Sequence, residues 1–169
     1  EPLEVILTDD YVCCAIRKDS GDDPDDTNGV LVYAKVEKTS EPGIKLCGGI
    51  GVGTVTKPGL ACSVGEPAIN PTPRKMITSE LTKVMEEVNY TGGLQVTIFI
   101  PEGVEIAKKT FNPRLGIVGG LSVLGTSGIV EPMSERALIE TIHVEVKAQK
   151  ARGNKNLLVF FGRSEEHTS

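Results

Sequence analysis

Glycine and proline are concentrated in a few short stretches of this chain, and these stretches restrict where regular structure can form. The 169 residues include 19 glycines and 10 prolines. Both residues interrupt helices and strands, so a run that holds several of them predicts a shaped loop. Four such loops stand out: an acidic loop at 18–29, a glycine turn at 48–53, a proline-rich segment at 64–73 and a glycine-rich loop at 119–128.

The segments between these loops predict strands and helices. Runs rich in β-branched residues indicate strands at 3–7, 11–17, 30–36, 44–47 and 94–100. An apolar stripe at helical spacing predicts a helix over 73–89, capped by Thr72 and ended by Gly92 and Gly93. The stripe consists of Ile77, Leu81, Val84, Met85 and Val88. We also expect a short helix at 103–110 and a longer one from about 132 or 134 to 153.

The character of the sequence changes near residue 114. A buried strand at 115–118, the glycine-rich loop, a helix and a strand at 156–161 predict the start of a parallel α/β unit. We therefore expect an α+β domain over 1–113, β-rich with one long helix and without its native N-terminus. The start of a truncated α/β domain over 114–162 would follow it. Residues 163–169 look like a translated sequencing adapter and are taken as a non-native tail, so the chain is interpreted as an interior fragment.

Composition and charge argue against several classes of protein. Hydrophobic residues make up 39% of the chain, but no apolar run approaches the roughly 20 residues that span a bilayer. A net charge of −5 with few aromatic residues argues against a nucleic-acid partner. The cysteines at 13, 14, 47 and 62 show no metal-binding spacing, so we expect reduced, buried thiols in a cytoplasmic protein and no metal site.

Three loops could carry chemistry. The acidic loop lacks the ligand spacing of a calcium site, so composition alone favours a solvated turn. The glycine turn at 48–53 lacks the dinucleotide fingerprint, which favours a tight hairpin or a bulge. The loop at 119–128 is placed between a strand and a helix, so a cofactor loop and a purely structural turn both stay open. With His143 as the one native histidine, a hydrolytic triad is disfavoured.

Basic residues flank these loops. Each of Lys57, Arg74, Lys108 and Lys109 is by itself best read as a solvated surface charge. Arg114 differs, because it follows Asn112 and Pro113 directly before the predicted buried strand. A plain surface arginine is less expected at that position.

Four segments resemble the CbiD family of cobalt-precorrin-5B C(1)-methyltransferases of the anaerobic cobalamin pathway. They are KDSGDDPDDTNG from Lys18, GIGVGTVTKPGL from Gly49, VGEPAINPTPRKMI from Val64 and KKTFNPRLGIVGGLSVLGTSGIVEPMS from Lys108. The resemblance covers about residues 4–162, and it implies that the family's N-terminal segment and most of its second domain are missing. Asp26 and Asn28 depart from the family pattern, which usually has a small apolar residue and often has a histidine at these positions.

The resemblance implies a reaction, its donor and its site residues. A methyl group from S-adenosylmethionine would move to carbon 1 of cobalt-precorrin-5B and give cobalt-precorrin-6A, with cobalt present only as part of the substrate. The ring carbon is itself nucleophilic, so the protein would align two bound molecules and exclude water. The implied catalytic residues are Asp22 and Asp25, in a loop that would place Asp23 at the same cleft. Binding of the anionic tetrapyrrole is implied for Lys57, Asn70, Arg74, Asn112 and Arg114, and binding of the donor for Gly119, Gly120, Gly125, Thr126, Ser127 and Gly128.

Two other functions stay open at this point. The chain could be a non-catalytic tetrapyrrole-binding module, or a nucleotide-linked oxidoreductase that uses the loop at 119–128. A homo-oligomer is also left open, and we expect the fragment to be inactive alone because half of the second domain is missing.

Overall fold

The structure is a computed structural model, and it describes residues 2–19, 27–125, 135–154 and 156. The strands are β1 (Glu4–Leu7), β2 (Tyr11–Arg17), β3 (Leu31–Thr39), β4 (Gly43–Gly48), β5 (Gly51–Val52), β6 (Thr54–Val55), β7 (Gly93–Phe99), β8 (Ile117–Val118) and β9 (Gly120–Leu121). The helices are α1 (Pro71–Glu87), α2 (Gly103–Ile106), α3 (Asn112–Leu115) and α4 (Glu135–Ala151), and a 3-10 turn at Ala107–Lys109 follows α2. No described helix combines the length and the apolar character that crossing a bilayer requires.

The main sheet has five strands in the order β1-β2-β3-β7-β4. Neighbours from β1 to β7 are antiparallel, whereas β4 runs parallel to β7. The parallel pair arises because α1 lies between β4 and β7 in the chain and carries it back to the same end of the sheet. β4, α1 and β7 therefore form a strand–helix–strand crossover between parallel strands. The sequence analysis predicted a parallel unit only after residue 114.

The core lies on one face of this sheet. Register places Val36 beside Val96 and Ala34 beside Ile98, and α1 packs Ile77 and Leu81 against them. The stripe predicted for α1 is thus confirmed only in its N-terminal half, since the side chains of Val84 and Val88 are 54% and 65% exposed. A smaller cluster forms below the loops from Val55, Cys62, Ala68 and Ile117, with Leu60 packed against it.

The ends of α1 differ from the prediction. The helix begins at Pro71 with Asn70 as its N-cap, rather than at Pro73 with Thr72 as its cap. It ends at Glu87, and Asn89 then adopts a left-handed φ of 52°. Asparagine tolerates this conformation because its short polar side chain bonds locally, so the helix stops before Gly92 and Gly93 are reached.

The region around residue 114 also differs from the prediction. Leu115 ends the short helix α3, and only Ile117 and Val118 are extended, so the strand predicted at 115–118 is wrong in extent. β8 pairs antiparallel with β6, and β9 pairs parallel with β5. The turn at 48–53 is therefore not a hairpin, because the short strands β5 and β6 beside Gly53 pair with later segments and not with each other. The domain boundary at 114 stays a prediction, and the strand predicted at 156–161 lies outside the described residues except for Asn156.

All four cysteines are free thiols. Cys13 and Cys62 are buried, while Cys14 and Cys47 are half-buried, so complete burial holds for only two of the four.

Candidate functional site

A segment from Gly116 to Gly125, here named the central segment, contacts several residues that the sequence analysis selected. Lys57 packs its aliphatic stem against Gly116, and Asn112 bonds to Gly120. The backbone N–H of Asn70 donates to Val123 O at 2.9 Å. The structure therefore brings three predicted substrate-binding residues together along one stretch of chain, although they are up to 55 positions apart in the sequence.

Three glycines allow the central segment to lie directly against the rest of the fold. A Cβ on Gly120 would lie 2.3 Å from the carbonyl carbon and oxygen of Gly51. A Cβ on Gly103 would lie 2.5 Å from the same oxygen. Contacts this short do not occur between real atoms, so β5, β9 and the start of α2 can meet only because all three residues lack a side chain. Part of the glycine pattern thus serves chain packing.

Asn112 holds α3 on the central segment. Its Nδ2 donates to Gly120 O at 3.2 Å, and its Oδ1 accepts from the Ser122 hydroxyl at 3.4 Å. Its backbone N–H donates to Thr110 Oγ1 at 3.2 Å. Ser122 and Thr110 were not selected from the sequence, because isolated hydroxyl residues give no pattern that distinguishes them from ordinary loop residues.

Arg74 clamps the proline-rich segment onto α1. Its Nε donates to Ile69 O at 2.6 Å, and its Nη2 donates to Pro67 O at 3.1 Å. Two of its donor nitrogens thus bind backbone carbonyl groups of the same chain. Arg74 therefore has a structural role, whereas the sequence analysis expected it to bind the substrate. The nearby Cys62 thiol contacts Ile69 O at 3.2 Å, and burial raises the pKa of that thiol while Arg74 opposes the rise.

Lys57 and Arg114 reach the turn that joins α3 to β8 from different parts of the chain. Arg114 lies within α3, and the Lys57 side chain packs against Gly116 in the turn itself. Arg114 is exposed, and its guanidinium carbon lies 5.7 Å from the centroid of the Phe111 ring. Within the described part of the chain the Arg114 side chain pairs with no carboxylate. Its carbonyl oxygen accepts a hydrogen bond from Arg152 Nη2 at 3.1 Å, which brings the end of α4 to the same turn. Arg152 was missed because it is 38 residues away in sequence.

The glycines predicted to bind the donor differ in their surroundings. Gly119 is exposed, with a φ of 82° and no atom within 4 Å of a Cβ position, so its backbone is open to a ligand. Gly125 is also exposed, with a φ of 55° and only Pro73 near its Cβ position. Gly120 is buried against Gly51, so its missing side chain is explained without a ligand. Thr126, Ser127 and Gly128 lie outside the described residues.

The acidic loop is represented only by its ends. Asp22, Asp23 and Asp25 lie outside the described residues, so their expected position at the cleft stays a prediction. The Lys18 ammonium bonds to the Thr27 hydroxyl, and Gly29 N–H donates to Lys18 O at 2.9 Å, which closes the base of the loop. His143 lies exposed on α4.

The groups that bond to the central segment define what it can do. Its described hydrogen bonds come from backbone groups and from the side chains of Asn112, Ser122 and Thr56. Amides and hydroxyls orient other groups but do not titrate near neutral pH. The exposed cations Lys57 and Arg114 lie next to these groups, and they carry the positive charge that an anionic ligand would require. The fold and this site define a mixed α/β domain that presents a glycine-lined segment with polar and cationic neighbours.

Comparison with known proteins identifies the family. The CbiD family model matches residues 2–132, and the chain belongs to the CbiD family. A cobalt-precorrin-5B C(1)-methyltransferase from Ruminiclostridium cellulolyticum is 57% identical over 155 residues, which are 90% of this chain and 40% of that protein. The enzyme of the same name from Clostridium perfringens strain 13 is 55% identical over 166 residues, or 98% of this chain and 44% of that protein.

A solved structure agrees with this assignment. The cobalamin biosynthesis protein CbiD from Archaeoglobus fulgidus is 34% identical and superposes with a TM-score of 0.57, covering 84% of this chain and 45% of that one. The chain thus spans less than half the length of the relatives it matches.

Proposed function

We propose that this chain is part of an enzyme that methylates carbon 1 of cobalt-precorrin-5B in cobalamin biosynthesis. The observation that carries the proposal is the 57% identity over 155 residues to a relative named for this reaction. The alignment covers 155 of the 169 residues, so its span includes the central segment and its neighbours.

We further propose that S-adenosylmethionine is the methyl donor, that cobalt-precorrin-6A is the product and that the enzyme is cytoplasmic. When bound, the donor supplies an electrophilic methyl group, and the electron-rich ring supplies the nucleophilic carbon. The protein then needs to hold two molecules in line and to keep water out, which can lower a barrier by several kcal/mol. The described site fits that task, since it offers hydrogen-bond donors and cations rather than a nucleophile.

In this proposal the cations Arg114 and Lys57 bind the carboxylate groups at the rim of the tetrapyrrole substrate. Among the described residues the exposed Arg114 guanidinium has the Phe111 ring as a neighbour and no carboxylate partner, so its fork is available for a bidentate contact with a carboxylate. Lys57 packs against Gly116 in the turn that follows α3, and as an exposed lysine it adds a second positive charge. Asn112 and Asn70 would then fix the backbone that presents these two groups.

The donor is proposed to bind at the loop from Gly119 to Gly128. Support comes from the exposed backbone and positive φ of Gly119 and Gly125, which would let a ligand approach without meeting a Cβ. Asp22 and Asp25 are proposed to accept the proton released after methylation.

Two measurements test the reaction and the donor site in the full-length protein. Incubation with cobalt-precorrin-5B and S-adenosylmethionine labelled in its methyl group should give a labelled product one methyl group heavier. Binding of NAD without binding of S-adenosylmethionine in calorimetry would contradict the proposal and favour an oxidoreductase. Binding of the tetrapyrrole without transfer would indicate a non-catalytic module.

A matched pair of variants tests the donor loop itself. Gly125→Val places a side chain where the ligand is proposed, at a residue with a φ of 55°. Gly65→Val introduces similar backbone strain at a φ of 89° in an open loop elsewhere. We expect the first to weaken S-adenosylmethionine binding at least tenfold and the second to leave it unchanged. Equal affinities in both folded variants would place the donor site elsewhere.

A further inference from the structure

The described residues cover the core face of the five-stranded sheet over only part of its width. On β3 and β7 this face carries Val36, Ala34, Val96 and Ile98, which lie in the core beneath α1. Register continues the same face outward to β2 and β1, because Val12 pairs with Val36 and Leu7 pairs with Val12. The outer part consists of Val5, Leu7, Val12, Cys14 and Ile16, and is here named the β1–β2 apolar face.

This face is apolar and open. Val5, Leu7, Val12 and Ile16 are 58%, 73%, 41% and 56% exposed. The opposite face of the same strands is different. There the Tyr33 hydroxyl donates to Glu4 Oε2 at 3.1 Å, and Ala15 and Cys13 are only 0% and 6% exposed. A row of exposed aliphatic side chains that continues a hydrophobic core indicates a surface that another element covers.

The dimensions of the face match one α-helix. Two strands lie about 4.8 Å apart, so β1 and β2 together present a strip about 10 Å wide, which is the diameter of a helix with its side chains. β2 has seven residues. At about 3.3 Å per residue it is about 23 Å long, and a helix needs about 15 residues to span that length. Such a helix would lie beside α1 in the same layer.

We propose that an amphipathic helix from the part of the full-length polypeptide beyond these 169 residues covers the β1–β2 apolar face. The relatives supply the source, because this chain spans only 40–44% of their length. The area argues against a second copy of the chain. The four aliphatic side chains expose on the order of 400 Å², about half of what each partner buries in a standard interface. The inference does not depend on the reaction proposed above.

Two cysteines provide a test that needs no substitution. Cys14 lies on the β1–β2 apolar face, whereas Cys47 lies on the opposite face, in the register row that joins it to Thr97, Lys35 and Cys13. Both thiols are half-buried in this structure. In the native full-length protein we expect iodoacetamide to modify Cys14 at least about tenfold more slowly than Cys47, because only Cys14 would lie beneath the helix.

A pair of neighbouring substitutions provides the second test. Val5→Lys places a charge on the β1–β2 apolar face, and Ile6→Lys places the same charge on the opposite face of the same strand, where Ile6 is 47% exposed. We expect Val5→Lys to lower the melting temperature of the full-length protein by about 5 °C or more and Ile6→Lys to change it little. If Val5→Lys does not fold, the alkylation measurement on the unsubstituted protein decides.

Each outcome separates the proposed helix from its alternatives. Slow alkylation of Cys14 in a protein that light scattering shows to be monomeric supports the proposal. Equal rates at Cys14 and Cys47, or equal melting temperatures for the two lysine variants, would overturn it. Protection of Cys14 that appears only at concentrations where the protein dimerises would assign the face to a second copy and would also overturn it.

Discussion

Gly120→Ala tests whether the central segment is held by direct backbone contact with β5. The new Cβ would lie 2.3 Å from the carbonyl carbon and oxygen of Gly51 and 2.7 Å from the Val52 nitrogen. All three of these atoms are backbone, so no side chain can rotate out of the way. β9 must therefore move away from β5 by most of an ångström.

The cost follows from what this movement disrupts. The pairing of Gly51 with Gly120 and of Val52 with Leu121 would be strained or lost, at about 1 kcal/mol for each hydrogen bond. Val52 and Leu121 are 7% and 6% exposed members of the core, and forcing them apart adds an overpacking cost of about 1–3 kcal/mol. We expect Gly120→Ala to lower the free energy of unfolding by about 3 kcal/mol.

Urea unfolding followed by circular dichroism measures this loss, and Gly119→Ala is the control. Gly119 is the adjacent residue, but nothing lies within 4 Å of its Cβ position. Its φ of 82° disfavours alanine, so we expect a loss of about 1 kcal/mol. The reasoning is refuted if Gly120→Ala costs no more than Gly119→Ala. If it instead left stability intact and abolished S-adenosylmethionine binding, Gly120 would serve the donor rather than the packing.

Three further predictions address other parts of the site. In the full-length enzyme, Arg114→Lys should weaken binding of cobalt-precorrin-5B by about 1–3 kcal/mol because the guanidinium fork is lost, and unchanged affinity in a binding titration would remove the proposed role. Arg74→Lys should lower stability by about 1–2 kcal/mol in urea, since lysine cannot bond Ile69 O and Pro67 O together; an unaffected midpoint would argue against the clamp. Burial raises the pKa of the Cys62 thiol in the folded state above its ordinary value of 9.0. Above about pH 9 the thiol therefore loses its proton in the unfolded state before it does so in the folded state, and the free energy of unfolding should fall as the pH rises. Cys62→Ala should flatten this decline in thermal melts between pH 8 and 10, and identical slopes would contradict the assignment.

Local sequence signals predicted those elements whose neighbours in space are also neighbours in sequence. β2 was placed at residues 11–17, where the structure has it, and the short helix after Gly103 and most of α4 were also anticipated. Asn89 ended α1 before Gly92, because a left-handed asparagine can stop a helix as glycine does. The sequence analysis thus assigned the stop signal to Gly92, whereas the residue that ends the helix is Asn89, three positions earlier.

The sequence selected residues that the structure places beside the central segment, but it did not predict the contacts that they make there. Arg114 was selected because it directly precedes the predicted buried strand, and Asn112 was selected through the family resemblance. Asn112 bonds to Gly120 of the central segment, while the substrate-binding roles of both residues stay predictions. The roles of Arg74 and Gly120 could not be read in the same way. The carbonyl groups that the Arg74 guanidinium binds, and the backbone that Gly120 contacts, are set by the tertiary fold. Neither contact leaves a pattern in the local sequence.

The sequence by itself determined the family, the positions of the loops and the apolar alternation of β2, because each of these is written in local order and spacing. Only the tertiary structure decided that β5 and β6 pair with β9 and β8 rather than with each other. It also decided that Gly51, Gly103 and Gly120 meet, and that the described residues leave one face of β1 and β2 exposed. The physical reason is that short strands carry too little local preference to choose a partner. Their pairing is set by which backbones can approach closely once the larger sheet and α1 have formed around the core.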